Sequence, residues 1–209
     1  MSLVLPALYP IIDVDLCRMR GLDPLALARA FLDAGARLLQ VRQKGREGGD
    51  AGRLTLVRTV VAAARSVEAA VIVNDRADIA VMAGAGGVHV GQQDIRPVDA
   101  RAIVGPEAIV GISTHDRKQI DEALGGPADY VAVGPVFRTA TKDTGYEPRG
   151  LELVRYAAGR GKPVVAIGGV SRTNAGAVLA AGADSVAVVS DLVSAADPAA
   201  RVREFLSME

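Results

Sequence analysis

Short apolar runs alternate along this chain with segments whose apolar residues recur every three or four positions. The runs cover residues 8–12, 38–42, 71–74, 87–90, 109–112, 130–133, 164–167 and 185–189. Most are near-continuous stretches of Val, Ile, Leu and Ala rather than polar–apolar alternations. Such runs mark strands buried on both faces, as in a parallel sheet covered by helices. The segments between them predict helices over 25–32, 54–64, 98–104, 120–124, 151–158, 175–181 and 198–206. Asp23 before Pro24 supplies a cap and a first-turn proline, and Gly35, Gly161 and Gly182 stand at expected helix ends.

Eight strand–helix units in 209 residues predict an α/β fold, a closed (β/α)8 TIM barrel near the lower end of its usual size. An open doubly wound sheet is the alternative. Asp33-Ala-Gly-Ala36, Met82-Ala-Gly-Ala85 and Ala180-Ala-Gly-Ala183 each join a helix to the next strand, as expected of one unit used repeatedly. The first strand runs into Ile11-Ile-Asp13-Val-Asp15 rather than a GxGxxG turn, which speaks against a dinucleotide-binding sheet. One barrel domain spanning residues 1–209 is expected. In such a barrel the active site forms where strands end and βα loops begin, so polar residues at those ends carry the reading.

Composition narrows the function. The 24 basic residues balance 24 acidic ones, leaving no broad footprint for nucleic acid or an anionic membrane. The apolar runs are too short to span a bilayer, and no secretory leader opens the chain, so a cytoplasmic location is expected. The single Cys17 excludes an internal disulfide and suits a reducing compartment.

At the second strand, Gln40, Arg42 and Lys44 alternate onto one face, so two cations and an amide converge on its carboxyl end. A solvated strand end is one explanation. A ligand anion is the other, and it offsets the burden of cations on a strand made buried by Leu38, Leu39 and Val41. Asn74-Asp75 ends the third strand, and Gly91-Gln-Gln-Asp94 follows the fourth. Adjacent strands lie about 4.8 Å apart, so Asp75 and Asp94 can meet at one hard cation such as Mg²⁺. Equally, Asp75 can cap the next helix and Asp94 a turn. His89, mid-strand, reads as a satisfied core residue. Ser113 lies at the fifth strand's end, without a visible orienting group or oxyanion hole for a hydrolase. The sixth strand empties into Phe137-Arg-Thr139-Ala-Thr141-Lys142, two hydroxyls and an ammonium suited to an anionic substrate. Gly168-Gly169 and Val189-Ser190 follow the last two strands, where such barrels hold phosphate on backbone N–H groups, although a tight turn also explains the glycines. Residues 45–52, glycine-rich and of mixed charge, form a candidate lid. A mouth with two anion pockets suits a two-substrate transferase.

Taken in order, Gln40-Val-Arg42-Gln-Lys44, Asn74-Asp75, Gly87-Val-His-Val-Gly91-Gln-Gln-Asp94, Gly111-Ile-Ser113, Gly134-Pro-Val-Phe-Arg-Thr139-Ala-Thr141-Lys142, Ala166-Ile-Gly-Gly169 and Val189-Ser190 resemble the signature series of the thiamine phosphate synthases. Gln43 departs from a commonly acidic position, and Arg138 and Ala140 from common prolines. The resemblance implies a (β/α)8 transferase of thiamine biosynthesis. Its members join a hydroxymethylpyrimidine diphosphate to the nitrogen of a thiazole phosphate, by ionisation before attack, and release pyrophosphate. It implies Gln40, Arg42, Lys44 and Asn74 on the pyrimidine diphosphate, and Asp75 and Asp94 on Mg²⁺ as cofactor. Ser113 and Lys142 would then be near the departing pyrophosphate, with Arg42, Ser113 and Lys142 as catalytic groups. Thr139 and Thr141 would line the thiazole site, and Gly169, Val189 and Ser190 would hold its phosphate through the backbone. The implied partners are these small molecules, with neither nucleic acid nor membrane; related barrels commonly form homo-oligomers. A thiazole tautomerase of the same barrel family is the alternative function, and a non-catalytic phosphate-ligand sensor a third, although no residues remain for an effector domain.

Overall fold

In a computed structural model, described for residues 3–139 and 145–208, eight parallel strands close into a barrel in chain order, β1 pairing with both β2 and β8. The strands are β1 (Leu8–Asp13), β2 (Leu38–Arg42), β3 (Ala70–Asn74), β4 (Gly87–Val90), β5 (Ile109–Thr114), β6 (Tyr130–Val133), β7 (Val164–Ile167) and β8 (Ser185–Val188). The helices are α1 (Val14–Met19), α2 (Pro24–Asp33), α3 (Gly49–Arg65), α4 (Ala77–Ala83), α5 (Pro97–Val104), α6 (Arg117–Gly125), α7 (Gly150–Ala157), α8 (Ala175–Ala180), α9 (Ser190–Val193) and α10 (Pro198–Leu206). Thr141 and Lys142 lie outside the described residues. Among those described, no helix is long and apolar enough to cross a membrane.

The near-continuous apolar strands have a direct cause: both of their faces are buried. One face, including Ile12, Leu39, Val41, Val73 and Val88, packs under the helices. The other, including Tyr9, Ile11, Leu38, Ile72, Tyr130 and Ala187, fills the lumen. Toward the carboxyl ends the lumen positions turn polar, with Asp13, Gln40, Asn74, His89 and Ser113 all buried. The period-two alternation of strands therefore sorts apolar residues below from chemistry above.

Local signals act as expected at several ends. Asp23 accepts from the Leu25 amide and caps α2 with Pro24 in the first turn, and Gly35 and Gly182 take positive φ values just past α2 and α8. α7 stops earlier than Gly161, at Ala157. α3 begins at Gly49, not near residue 54. The proposed lid over 45–52 is thereby shortened, because its second half is the first turn of a helix. Three short helices lie outside the predicted segments: α1, capped by Asp13, α4 and the four-residue α9.

Candidate active site

The carboxyl ends of the strands open into a pocket enclosing about 860 Å³, part of it open solvent. Asp13, Gln40, Arg42, Asn74, Ser113, Thr139, Gly169, Val189 and Ser190 all line it. Anticipated residues from the ends of β2, β3, β5, β6, β7 and β8 thus share one mouth, joined by Asp13 of β1.

Two carboxylates at the junction of β1 and α1, absent from the candidate residues of the sequence, hold the Arg42 side chain and the backbone that follows β2. Asp13 is level with Arg42 in the strand register, and its Oδ2 pairs with the Arg42 guanidinium while Oδ1 accepts from the Leu16 amide at 3.0 Å. Asp15 Oδ2 accepts from the amides of Lys44 and Gly45, at 2.8 and 2.9 Å. A side chain at position 45 would collide with it, since a Cβ there falls 2.6 Å from Asp15 Oδ1. The Ile11-Ile-Asp13-Val-Asp15 segment was the available signal: acidic residues at a barrel strand's carboxyl end. Lys44 lies past the end of β2, half exposed, and does not line the pocket with Gln40 and Arg42 as the strand alternation predicted. The chain turns after Arg42, so the period of two no longer applies. Gln43 is buried, and its amide donates to the Glu47 carbonyl.

Lys44 Nζ reaches Asp75 Oδ2 at 2.5 Å. Burial raises the Asp75 carboxyl above its ordinary value, the adjacent Asp94 carboxylate adds to this, and the Lys44 ammonium pulls the other way. Asp75 and Asp94 are therefore together, as expected of adjacent loops. Asp75 adopts φ 64°, a left-handed conformation that Asp tolerates better than most residues. It does not cap α4, whose N-cap is Arg76. Asp94 does bind a turn, accepting from the Gly91 amide at 2.8 Å. Among the described residues no group of three or more His, Cys, Asp or Glu gathers as a cation site. Asn74 lines the pocket, and its buried amide nitrogen has no hydrogen-bond partner among the described residues.

His89 is buried and hydrogen-bonded through both ring nitrogens, to Tyr130 and Ser113. This agrees with its reading as a satisfied core residue, although it also lines the pocket. His115, not singled out in sequence, lies there too; its Nδ1 donates to the Gly134 carbonyl at 2.6 Å and its ring stacks on Tyr146. Cys17 is fully buried, and burial, with Asp13 and Asp23 nearby, pushes its thiol up to about 11. That removes it as a nucleophile.

The β7 loop packs tightly on the β6 loop. The amides of Val136 and Phe137 donate to the carbonyls of Ile167 and Gly168, both at 2.9 Å. A Cβ at Gly168 would fall 2.6 Å from Pro135 Cα, and one at Gly169 2.5 Å from the Arg138 carbonyl oxygen. The two glycines are thus demanded by packing and by their φ values of 98° and 65°, while their backbone still faces the pocket.

Comparison with known proteins agrees with this geometry. The sequence is 42% identical to a thiamine-phosphate synthase of Koribacter versatilis, over 99% of this chain and 97% of that protein. It is 41% identical to one of Laribacter hongkongensis, over 97% and 95% respectively. The fold superposes on a thiamine phosphate pyrophosphorylase from Pyrococcus furiosus with a TM-score of 0.86 at 29% identity, covering 97% of this chain and 95% of that one. With the family's sequence model matching residues 8–192 as well, the chain belongs to the thiamine monophosphate synthase family.

Proposed function

We propose that this protein transfers the hydroxymethylpyrimidine group from its diphosphate to the nitrogen of a thiazole phosphate, giving thiamine phosphate and pyrophosphate. The observation that carries the reading is the union, in one mouth, of an anion-ready half around Arg42 and Asn74 with a backbone-lined half at Gly169, Val189 and Ser190. The C–O bond between the exocyclic methylene and the diphosphate breaks, its electron pair leaving with pyrophosphate. The thiazole nitrogen lone pair then forms the C–N bond, so no protein nucleophile is consumed.

Each residue has a part in that scheme. Arg42, paired with Asp13, and Lys44, paired with Asp75, bind and neutralise the diphosphate as charge builds on it. Asn74 donates its amide, Gln40 holds the pyrimidine end, and Ser113 lies near the departing pyrophosphate. Lys142 contributes a cation to the departing pyrophosphate, with Thr139 and Thr141 beside the thiazole. Gly169, Val189 and Ser190 offer backbone to the thiazole phosphate. Holding the two rings in line supplies several kcal/mol of rate enhancement by itself. Asp75 and Asp94 suit a divalent cation: two hard carboxylates, one disfavoured in its charged form by burial and the other's proximity, are the pair that would hold Mg²⁺. Bound there, Mg²⁺ supplies charge neutralisation for the leaving diphosphate.

A single barrel domain carrying the whole reaction, in a reducing cytoplasm, accords with the buried lone Cys17. A thiazole tautomerase has no use for Arg42 or the Asp75–Asp94 pair. The test is release of pyrophosphate with both substrates and Mg²⁺, thiamine phosphate being identified by mass. Release without the thiazole phosphate, or none with both substrates present, overturns the proposal.

A further inference from the structure

A line of hydrogen bonds crosses the lumen beneath the mouth, and its middle members, Tyr9, Tyr130 and His89, have no part in the scheme above. The Gln40 amide nitrogen lies 3.1 Å from the Tyr9 hydroxyl, and the Tyr9 and Tyr130 hydroxyls are 3.2 Å apart. Tyr130 Oη lies 2.8 Å from His89 Nδ1, and His89 Nε2 is 2.9 Å from Ser113 Oγ.

The direction of the line follows from counting protons. An amide nitrogen only donates, so Tyr9 accepts from Gln40. Among the described residues the Tyr9 hydroxyl meets no polar group besides Gln40 and Tyr130, and its ring is fully buried. Its own proton therefore goes to Tyr130, because a buried hydroxyl left unpaired is destabilising. Tyr130, already accepting from Tyr9, passes its proton to its one other partner among the described residues, His89 Nδ1. A ring nitrogen that accepts carries no proton, so the neutral imidazole holds its hydrogen on Nε2 and donates it to Ser113 Oγ. The Ser113 proton is left to face the pocket that Ser113 lines. Burial raises both phenols far above their ordinary range, so they remain proton carriers rather than anions.

We propose that this relay locks His89 as its Nε2–H tautomer and thereby makes Ser113 a hydrogen-bond donor to an acceptor atom of the bound substrate, with Tyr9, Tyr130 and His89 as positioning residues. The spacing of Ser113, His89 and Tyr130 resembles that of a hydrolytic triad, but the polarity is opposite: Nε2 has no lone pair with which to take the serine proton. Glycine makes the relay possible. Gly111 lies between His89 and Tyr130 in the strand register, and a Cβ there would fall 2.1 Å from Tyr130 Cζ. The free space lets the Tyr130 ring stack on His89, with centroids 5.5 Å apart.

The tautomer is a property of the free protein, whereas its kinetic consequence rests on the transferase reading above. The chain has two histidines, and His115, whose Nδ1 donates to a carbonyl, is an internal example of the opposite tautomer. Ring ¹⁵N spectra of the ligand-free protein, recorded where both rings are neutral, should show one Nε2–H and one Nδ1–H imidazole. The Nε2–H signal should vanish in His89→Gln and lose its tautomeric purity in Tyr130→Phe. In pyrophosphate release, Tyr130→Phe should lower kcat about tenfold with little change in KM, as expected when one oriented hydrogen bond is lost in the transition state. In a Ser113→Ala background the same change should have no further effect. His89 found as Nδ1–H, or kcat losses that multiply in the double variant, overturns the proposal. A wild-type enzyme that turns over with His89 as Nδ1–H removes the relay and leaves the transferase standing. Absence of turnover removes the transferase and leaves the tautomer untouched.

Discussion

Asp13→Asn separates the two duties of a carboxylate that is only 3% exposed. Asn caps helices about as well as Asp, so the bond from the Leu16 amide to Oδ1 survives and α1 keeps its start. What is lost is the negative partner of Arg42. Breaking a fully buried ion pair destabilises by about 3–5 kcal/mol, and a hydrogen bond to a charged group contributes about 1.5–3 kcal/mol. The Arg42 side chain is 14% exposed and faces an open mouth, where water softens the loss, so the lower range applies, about 2 kcal/mol. For a chain of this length that is a fall in Tm of roughly 4–8 °C. Pyrophosphate should reverse it more strongly than it stabilises the wild type, because Asp13 no longer competes with the ligand for the guanidinium. At a hundred times its Kd, a bound ligand adds about 2.7 kcal/mol, enough to restore the variant. Differential scanning fluorimetry across a pyrophosphate series reads both effects. A variant melting within a degree of wild type, or an equal shift by pyrophosphate in both proteins, refutes the view that Asp13 holds Arg42 ready for an anion.

Asp75→Asn should abolish Mg²⁺-dependent turnover while raising Tm near pH 7. A carboxyl whose folded pKa is raised stabilises the fold only below its unfolded pKa, and that contribution is lost as pH climbs through the folded value, so the neutral amide is the better tenant at pH 7. The Tm gain should shrink in acid, and full activity in EDTA or a Tm loss at pH 7 counts against the shared cation site. Lys142→Ala should slow pyrophosphate formation by one to two orders of magnitude with an unchanged circular dichroism spectrum, and wild-type kinetics would remove Lys142 from the mechanism. Gly111→Ala should destabilise by about 1–3 kcal/mol in denaturant melts, because its methyl group overlaps the Tyr130 ring; unaltered stability would show that the lumen can repack.

Some of this protein was legible in the chain alone. Continuous Val, Ile and Ala runs located all eight strands within a residue or two, because burial on both faces leaves no room for polar alternation. The polar residues closing those runs, from Gln40 and Arg42 to Ser113, marked the mouth for the same reason: a barrel strand can hold chemistry only where its lumen face meets solvent. Local spacing carried no record of what crosses between strands. Asp13 gripping Arg42, Lys44 reaching over to Asp75, and Gly111 making space for Tyr130 to meet His89 are fixed by strand register and barrel closure. The Tyr9–Tyr130 hydrogen bond left no mark in the local pattern, since it depends on a partner 121 residues away. Sequence determined which residues are buried and where each strand ends; tertiary structure alone decided which of those ends touch, because contacts around a closed sheet are set by register and not by distance along the chain.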